Sequence, residues 1–393
     1  MRQSDGARSP KPPPPVVDIS PVPVSGDPVP GLEPFDDAVI GLLRAEGIPG
    51  GALAVARRGR ILLSRGYGVL ENGMPSPVVP ETRFRIASVA KPITAVAALA
   101  LIEDRREEML LDAPFVERLG VEPWLPSGRP PDPRLARITL RQVLRHTGGW
   151  DREKSIDPMF QHERAARELG VPPPPSARDM ARWGLGLPLD FDPGARFAYS
   201  NFGYCLVGRW IEAVSGMPYE TFVRQRVLDR FGMASFAMGG NGRAGRLPGE
   251  TAYHLRSGDT WTERPYTEVL PAAFDSHGGW VGSAADLVRF ADLWNDAGAG
   301  GLTRAMASRV DERPSVPLPK EPDGSAAKAW HGLGWLVRPV AGGANRWHAG
   351  HMAGSTSLLV RLANGTTWAL LLNQRTASDV DRLLHDAARR CRW

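Results

Sequence analysis

Apolar residues follow two different periods along this chain. Near both ends they come in short runs bounded by turn residues, and through the middle they recur every three or four positions. Pro34 to Gly47 reads as a helix, with Phe35, Val39, Leu42 and Leu43 on one face and Gly47 as its stop. Gly51 to Ala56 and Arg60 to Ser64 flank Arg58-Gly59, which signals a β-hairpin. The far end repeats the pattern: Gly334 to Val337 reads as a strand, and Ser357 to Arg361 and Thr366 to Leu371 flank the turn pair Asn364-Gly365. A helix from about Ser378 to Arg390 closes the chain. Between about 92 and 300 the better helices are Thr139 to Arg145, Ala177 to Gly184, Tyr204 to Val214, Tyr219 to Phe231 and Ala284 to Asn295.

These elements predict an α/β (α+β) fold. Strands from both chain ends build one antiparallel sheet flanked by helices, and a mostly helical domain is inserted between them. Residues 32–85 and 300–393 make the sheet domain and 86–299 the insert. Residues 1–31, with Pro12-Pro13-Pro14-Pro15, are too proline-rich to bury a core and read as an extended arm. The cleft where sheet and insert meet is the default place for a site.

Composition narrows the function classes. At 393 residues, with 42% hydrophobic and 23% charged positions, the chain can bury a sizeable core. No run of 18 apolar residues occurs, so no membrane span is expected. The net charge of +5 is small and acidic residues are interspersed, without the basic stripe of a nucleic-acid binder. Two cysteines, Cys205 and Cys391, exclude a disulfide framework. As written, the N-terminus has no signal-peptide core and the chain reads as cytoplasmic, or periplasmic or secreted if the native start differs. Oligomeric state is left open.

The chemistry concentrates at Ser88-Val89-Ala90-Lys91. Residues three apart share a helix face, and the run from Ala95 to Ile102 is a good helix former. Ser88 therefore falls near a helix N-terminus, where free N–H groups can hold a developing oxyanion. Among 48 lysines and arginines only Lys11, Lys91, Lys154, Lys320 and Lys328 are lysines. Arginine cannot lose its proton at useful pH and a buried lysine can, so Lys91 suits a general base. The plain alternative is a surface lysine beside a helix-capping serine. Ser325-Ala326-Ala327-Lys328 has the same spacing but lies in a polar loop.

Two more motifs join this pair. Tyr199-Ser200-Asn201 follows the loop Phe191-Asp192-Pro193-Gly194, and His348-Ala349-Gly350-His351 precedes the Ser355-to-Leu362 strand. Together they resemble the serine β-lactamase/penicillin-binding superfamily, whose pattern is S-x-x-K, Y-x-N and a late [K/H]-x-G. The likeness is nearest to its class C-like branch: family VIII carboxylesterases, D-aminopeptidases, DD-carboxypeptidases and class C β-lactamases. It spans about residues 34 to 390 and includes Phe84 to Ser88 and Leu144 to Gly149. The resemblance implies a β-lactamase-like fold and a penicillin-binding-protein type of site.

The residue types fit acyl transfer. Ser88 can attack a carbonyl once Lys91 takes its proton. Tyr199 can pass a proton to the leaving group, and Asn201 can orient Lys91 and the substrate through its two-sided amide. By the same resemblance, the backbone N–H groups of Ser88 and His351 form the oxyanion hole. Trp150, Trp280 and Trp347 lie near the motifs and read either as an apolar acyl pocket or as core. Trp150, Trp347 and Gly350 complete the expected substrate-binding set.

Competing motifs fall away. Gly240-Asn241-Gly242-Arg243-Ala244-Gly245 has no strand before it and Pro248 after it. His348 and His351 have no acidic or cysteine partner at metal-ligand spacing, so no metal and no cofactor is expected. No G-x-S-x-G elbow argues for an α/β-hydrolase. His348 stands where β-lactamases carry a lysine, which weakens capture of a substrate carboxylate. The expected partner is thus a small-molecule ester. The other readings are a DD-peptidase or D-aminopeptidase, a β-lactamase, and a non-catalytic penicillin-binding sensor or scaffold.

Overall fold

A computed structural model describes residues 21–126, 129–257, 260–294, 302–318, 323–325 and 327–393. In chain order its strands are β1 (Val24–Ser25), β2 (Gly50–Arg57), β3 (Arg60–Gly68), β4 (Phe84–Arg85), β5 (Ala237–Met238), β6 (Arg256–Ser257), β7 (Thr260–Trp261), β8 (Trp280–Gly282), β9 (Trp330–His331), β10 (Leu336–Val340), β11 (Gly343–Met352), β12 (Ser355–Arg361) and β13 (Thr366–Leu372). Eight form one antiparallel sheet in the order β1-β3-β2-β13-β12-β11-β10-β9. The two chain ends meet at its centre, where β2 pairs with β13 over seven residue pairs from Gly51↔Leu372 to Arg57↔Thr366.

Turn chemistry sets the register. Arg58 and Gly59 both take positive φ, 51° and 81°, the twist that lets β2 and β3 pair through a two-residue loop. Gly365, at φ 90°, closes the β12–β13 turn by donating to Leu362 O at 3.1 Å.

Both faces of the central strands are covered, and alternation sorts their side chains. Leu53, Val55, Leu358, Val360, Trp368 and Leu370 point to one face. There they meet Phe35, Val39, Leu42 and Leu43 of helix α1 (Glu33–Glu46) and Leu384 of the C-terminal Val380–Arg390 helix. Ala52, Ala54, Ala56, Leu359, Ala369 and Leu371 point to the other face and join a second core. At its heart is helix α2 (Ala90–Arg105), buried continuously from Ala90 to Ile102. A helix covered on all sides needs no amphipathic stripe.

The structure departs from expectation in three places. The His348 motif lies just ahead of β12, as expected, but on a further strand, β11; Asn345, Arg346 and His348 hide that strand in the sequence, and ladders to β10 and β12 hold it. A second, small sheet, β4-β8-β5, has strands of two or three residues that are too short to show a period. The expected arm partly packs: Val22 is buried and Val24–Ser25 pairs with Tyr67 and Gly66, while residues 1–20 lie outside the described residues. No described helix is long and apolar enough to cross a membrane.

Candidate active site

Ser88 sits in a single 3₁₀ turn, Ala87–Val89, that runs into α2. Ala87 is held at φ 47°, a conformation that needs support from its surroundings. The preceding residue supplies it. Ile86 O accepts from Val89 N at 3.1 Å and from the Ser357 hydroxyl of β12 at 2.6 Å. Strand β11 comes down on the same turn. A Cβ on Gly350 would lie 2.6 Å from Ile86 O and 2.9 Å from Ser88 N, so only glycine allows this approach. Gly350 therefore acts through close backbone contact and brings His351 to the turn.

Lys91 is fully buried one helical turn on. Its Nζ lies 2.8 Å from Asn201 Oδ1, 3.0 Å from His277 O and 3.0 Å from Ser88 Oγ. Burial pulls its pKa down to about 7, Asp157 opposes that, and Arg152 adds to it. The three partners are not equivalent. An amide oxygen and a carbonyl can only accept. When Lys91 is neutral, its two N–H bonds go to Asn201 and His277, and its lone pair is left facing the Ser88 hydroxyl. The arrangement thus points a base at Ser88.

Tyr199 lies alongside, its ring centroid 5.0 Å from Lys91 Nζ, and lines the cleft with Ser88. Burial pushes this phenol upward, while the nearby Ser88 hydroxyl and the Arg152 guanidinium draw it back. Arg152 stands over the ring at 5.0 Å. On the ring's flank, His146 stacks at 4.3 Å and accepts Ser200 N–H at Nδ1, 3.1 Å.

Asn201 begins the Asn201–Ser215 helix, and Ser200 caps it by accepting Gly203 N–H at 3.1 Å. Asp157 is buried at the same end. One of its oxygens accepts Asn201 N–H at 2.6 Å and the other accepts Met159 N–H at 3.1 Å. Burial raises its carboxyl pKa; those N–H groups and Lys91 counter the rise.

His348 is buried, with Nδ1 2.7 Å from Ala349 O. A carbonyl only accepts, so the proton is on Nδ1, and Nε2 has no hydrogen-bond partner among the described residues. Burial first, then Lys91 and His331, push its pKa well below the ordinary histidine range, so the ring is neutral. It stands behind Tyr199, with ring centroids 6.5 Å apart, and does not line the cleft.

That cleft has a volume of about 180 Å³; Ser88, Tyr199, Asn201, His277 and His351 line it. Neither expected tryptophan does. Trp150 is a core residue packed edge-on against Phe202 at 5.2 Å. Trp347 alternates with His348 and so joins the core on the opposite face of the sheet, under the Arg338 guanidinium at 5.2 Å. Trp280 is also core, its indole N–H donating to Tyr219. Ser325 of the second Ser–Lys spacing is exposed in a turn.

Four residues of this site carried no weight in the motif reading: His146, Arg152, Asp157 and His277. Asp157-Pro158 is a cap signal that precedes a helical turn, and His146 lies in the Leu144-to-Gly149 segment. His277 contributes a carbonyl, which no side-chain pattern reveals.

The Beta-lactamase family model matches residues 35–390. Among curated relatives, the probable fimbrial assembly protein FimD, serogroup H1, of Dichelobacter nodosus is 34% identical over 221 residues, 54% of this chain and 49% of its own. Esterase EstB of Burkholderia gladioli is 32% identical over 209 residues, 51% of this chain and 48% of its own. The chain thus spans about half the length of these relatives. The octameric penicillin-binding protein homologue of Pyrococcus abyssi shares the fold, with a TM-score of 0.70, 19% identity and coverage of 91% of this chain and 76% of its own. A match that runs from helix α1 to the C-terminal helix makes this chain a member of the Beta-lactamase family.

Proposed function

We propose that the chain is a carboxylesterase for small esters, working through an acyl-enzyme on Ser88. Neutral Lys91 takes the Ser88 proton as Oγ bonds to the ester carbon. The N–H groups of Ser88 and His351 hold the oxyanion. Tyr199 protonates the departing alkoxide and is reprotonated from Lys91. Water, deprotonated by the same pair, then releases the acid and regenerates Ser88.

The buried, neutral His348 supports the choice of substrate: it stands outside the cleft and offers a substrate carboxylate no cation, where a lysine reaching the substrate would give it a charge-assisted hydrogen bond worth about 1.5–3 kcal/mol. A simple ester has no use for one, whereas β-lactams and D-Ala-D-Ala peptides do. The likeness to an esterase supports the same reading.

One observation favours a second reading. Arg152 lines the cleft, and its partner, Glu153 at 3.2 Å, is exposed and so screened by solvent. A DD-peptidase or β-lactamase could hold a carboxylate there. Comparing kcat/KM for p-nitrophenyl butyrate, a chromogenic cephalosporin and a D-Ala-D-Ala peptide decides between them. The ester should lead by tenfold or more, about what loss of that hydrogen bond implies. A lead for either of the others replaces the esterase reading.

A further inference from the structure

One wall of the cleft is built for an apolar group. Phe160, Val269 and Phe274 line it beside Ser88 and Asn201. Phe274 is buried, but Phe160 keeps 56% of its surface exposed, with its ring edge-on to Phe274 at 6.1 Å. An exposed aromatic ring is ordinary on a surface. Here it stands at the mouth of a catalytic cleft and continues a buried aromatic, so it offers apolar area to whatever enters.

The wall is tied to the catalytic residues. Phe160 ends the turn Pro158–Phe160, which Asp157 caps through Met159 N–H at 3.1 Å. The other Asp157 oxygen holds Asn201 N–H at 2.6 Å. On the opposite side, Phe274 O accepts His277 N–H at 3.0 Å, and His277 O holds Lys91 at 3.0 Å. Phe274 is thus one hydrogen bond from a partner of Lys91, and Phe160 is linked to the other partner through Asp157. A wall anchored in this way is preorganised and can discriminate between substrates at little entropic cost.

We propose that Phe160, backed by Phe274 and Val269, selects the acyl group, and that the substrates carry short, uncharged, apolar acyl chains. The proton-donating Tyr199 has the Arg152 guanidinium over its ring, which makes the leaving-group side polar and leaves the phenylalanine wall to the acyl side. The volume of about 180 Å³ limits chain length. It lies below the roughly 300–1,000 Å³ of sites for drug-sized ligands. The proposal rests on the esterase reading for its substrate.

The test varies the two halves of the ester separately. In the wild type, kcat/KM should rise from p-nitrophenyl acetate to butyrate. Phe160→Ala should lower the butyrate value about tenfold and the acetate value less than about threefold, while Phe160→Leu keeps most of the rise. Alkyl acetates of growing alcohol length should respond equally in wild type and variant. An equal loss on acetate and butyrate, or a loss that follows alcohol length, overturns the proposal. If the wild type hydrolyses no ester, the esterase reading is lost but the wall is still measured. Alkyl fluorophosphonates label Ser88 as its oxygen bonds to phosphorus, fluoride leaves and the proton passes to Lys91. Labelling rates should then rise with alkyl length in the wild type and flatten in Phe160→Ala; rates independent of alkyl length in the wild type overturn it.

Discussion

Asp157 and Asn201 are joined by a 2.6 Å hydrogen bond from the asparagine backbone to the buried carboxylate, 44 residues away in the chain. The bond fixes the first residue of a helix whose side-chain oxygen in turn holds Lys91 at 2.8 Å. A residue that touches neither Ser88 nor the cleft thereby sets the direction of the base. Asp157→Asn keeps the shape but turns a donor toward the Asn201 N–H. We expect kcat to fall about 10- to 100-fold with KM little changed. Asp157 also raises the Lys91 pKa, so the acid limb of the pH–rate profile should move to lower pH. A limb that stays in place would show that Asp157 is already protonated.

Ser88→Ala should abolish turnover and leave the fold intact. Intact-mass spectrometry of the wild type after a serine-directed phosphonate should show a single adduct, on Ser88. An adduct on Ser200 or Ser325 would refute the assignment.

Lys91 must be neutral to accept a proton, and its pKa is held near 7. Activity should therefore rise with pH through about 7 and flatten above it. Lys91→Arg should be nearly as inactive as Lys91→Ala, a loss of roughly 10²–10⁴. Retention of a tenth of the rate would mean that Lys91 acts only as a charge. The lowered pKa also has a sign for stability. Between about 7 and the ordinary lysine value the unfolded chain binds more protons, so this residue's contribution to stability rises with pH over that window. Lys91→Met should be at least as thermostable as wild type at pH 7, and its Tm should lose that pH dependence.

Gly350→Ala places a Cβ 2.6 Å from Ile86 O and 2.9 Å from Ser88 N. Strand β11 must back away, and the His351 N–H moves with it. Loss of one oxyanion donor costs about 10²–10³ in kcat. KM for a small ester should change far less. Equal losses in both would indicate general misfolding, which thermal unfolding would detect independently.

Local sequence was enough for much of this protein. The Arg58-Gly59 and Asn364-Gly365 turns, the apolar faces of the flanking helices and the Ser88–Lys91 spacing each depend on residues a few positions apart, so their physics is readable in a short window. The two-ended sheet followed from the readable strand signals lying near the two ends of the chain. Long-range geometry decided the rest. Strand β11 has no apolar alternation because ladders on both edges, rather than side-chain burial, hold it. Trp150 and Trp347 lie close to the motifs in sequence but point away from the cleft, one into the core around α2 and one to the opposite face of the sheet. Asp157 and the His277 carbonyl reach Lys91 from 66 and 186 residues along the chain. Only packing in three dimensions could bury Lys91 enough to free its lone pair, because desolvation belongs to the whole surrounding core and to no residue by itself.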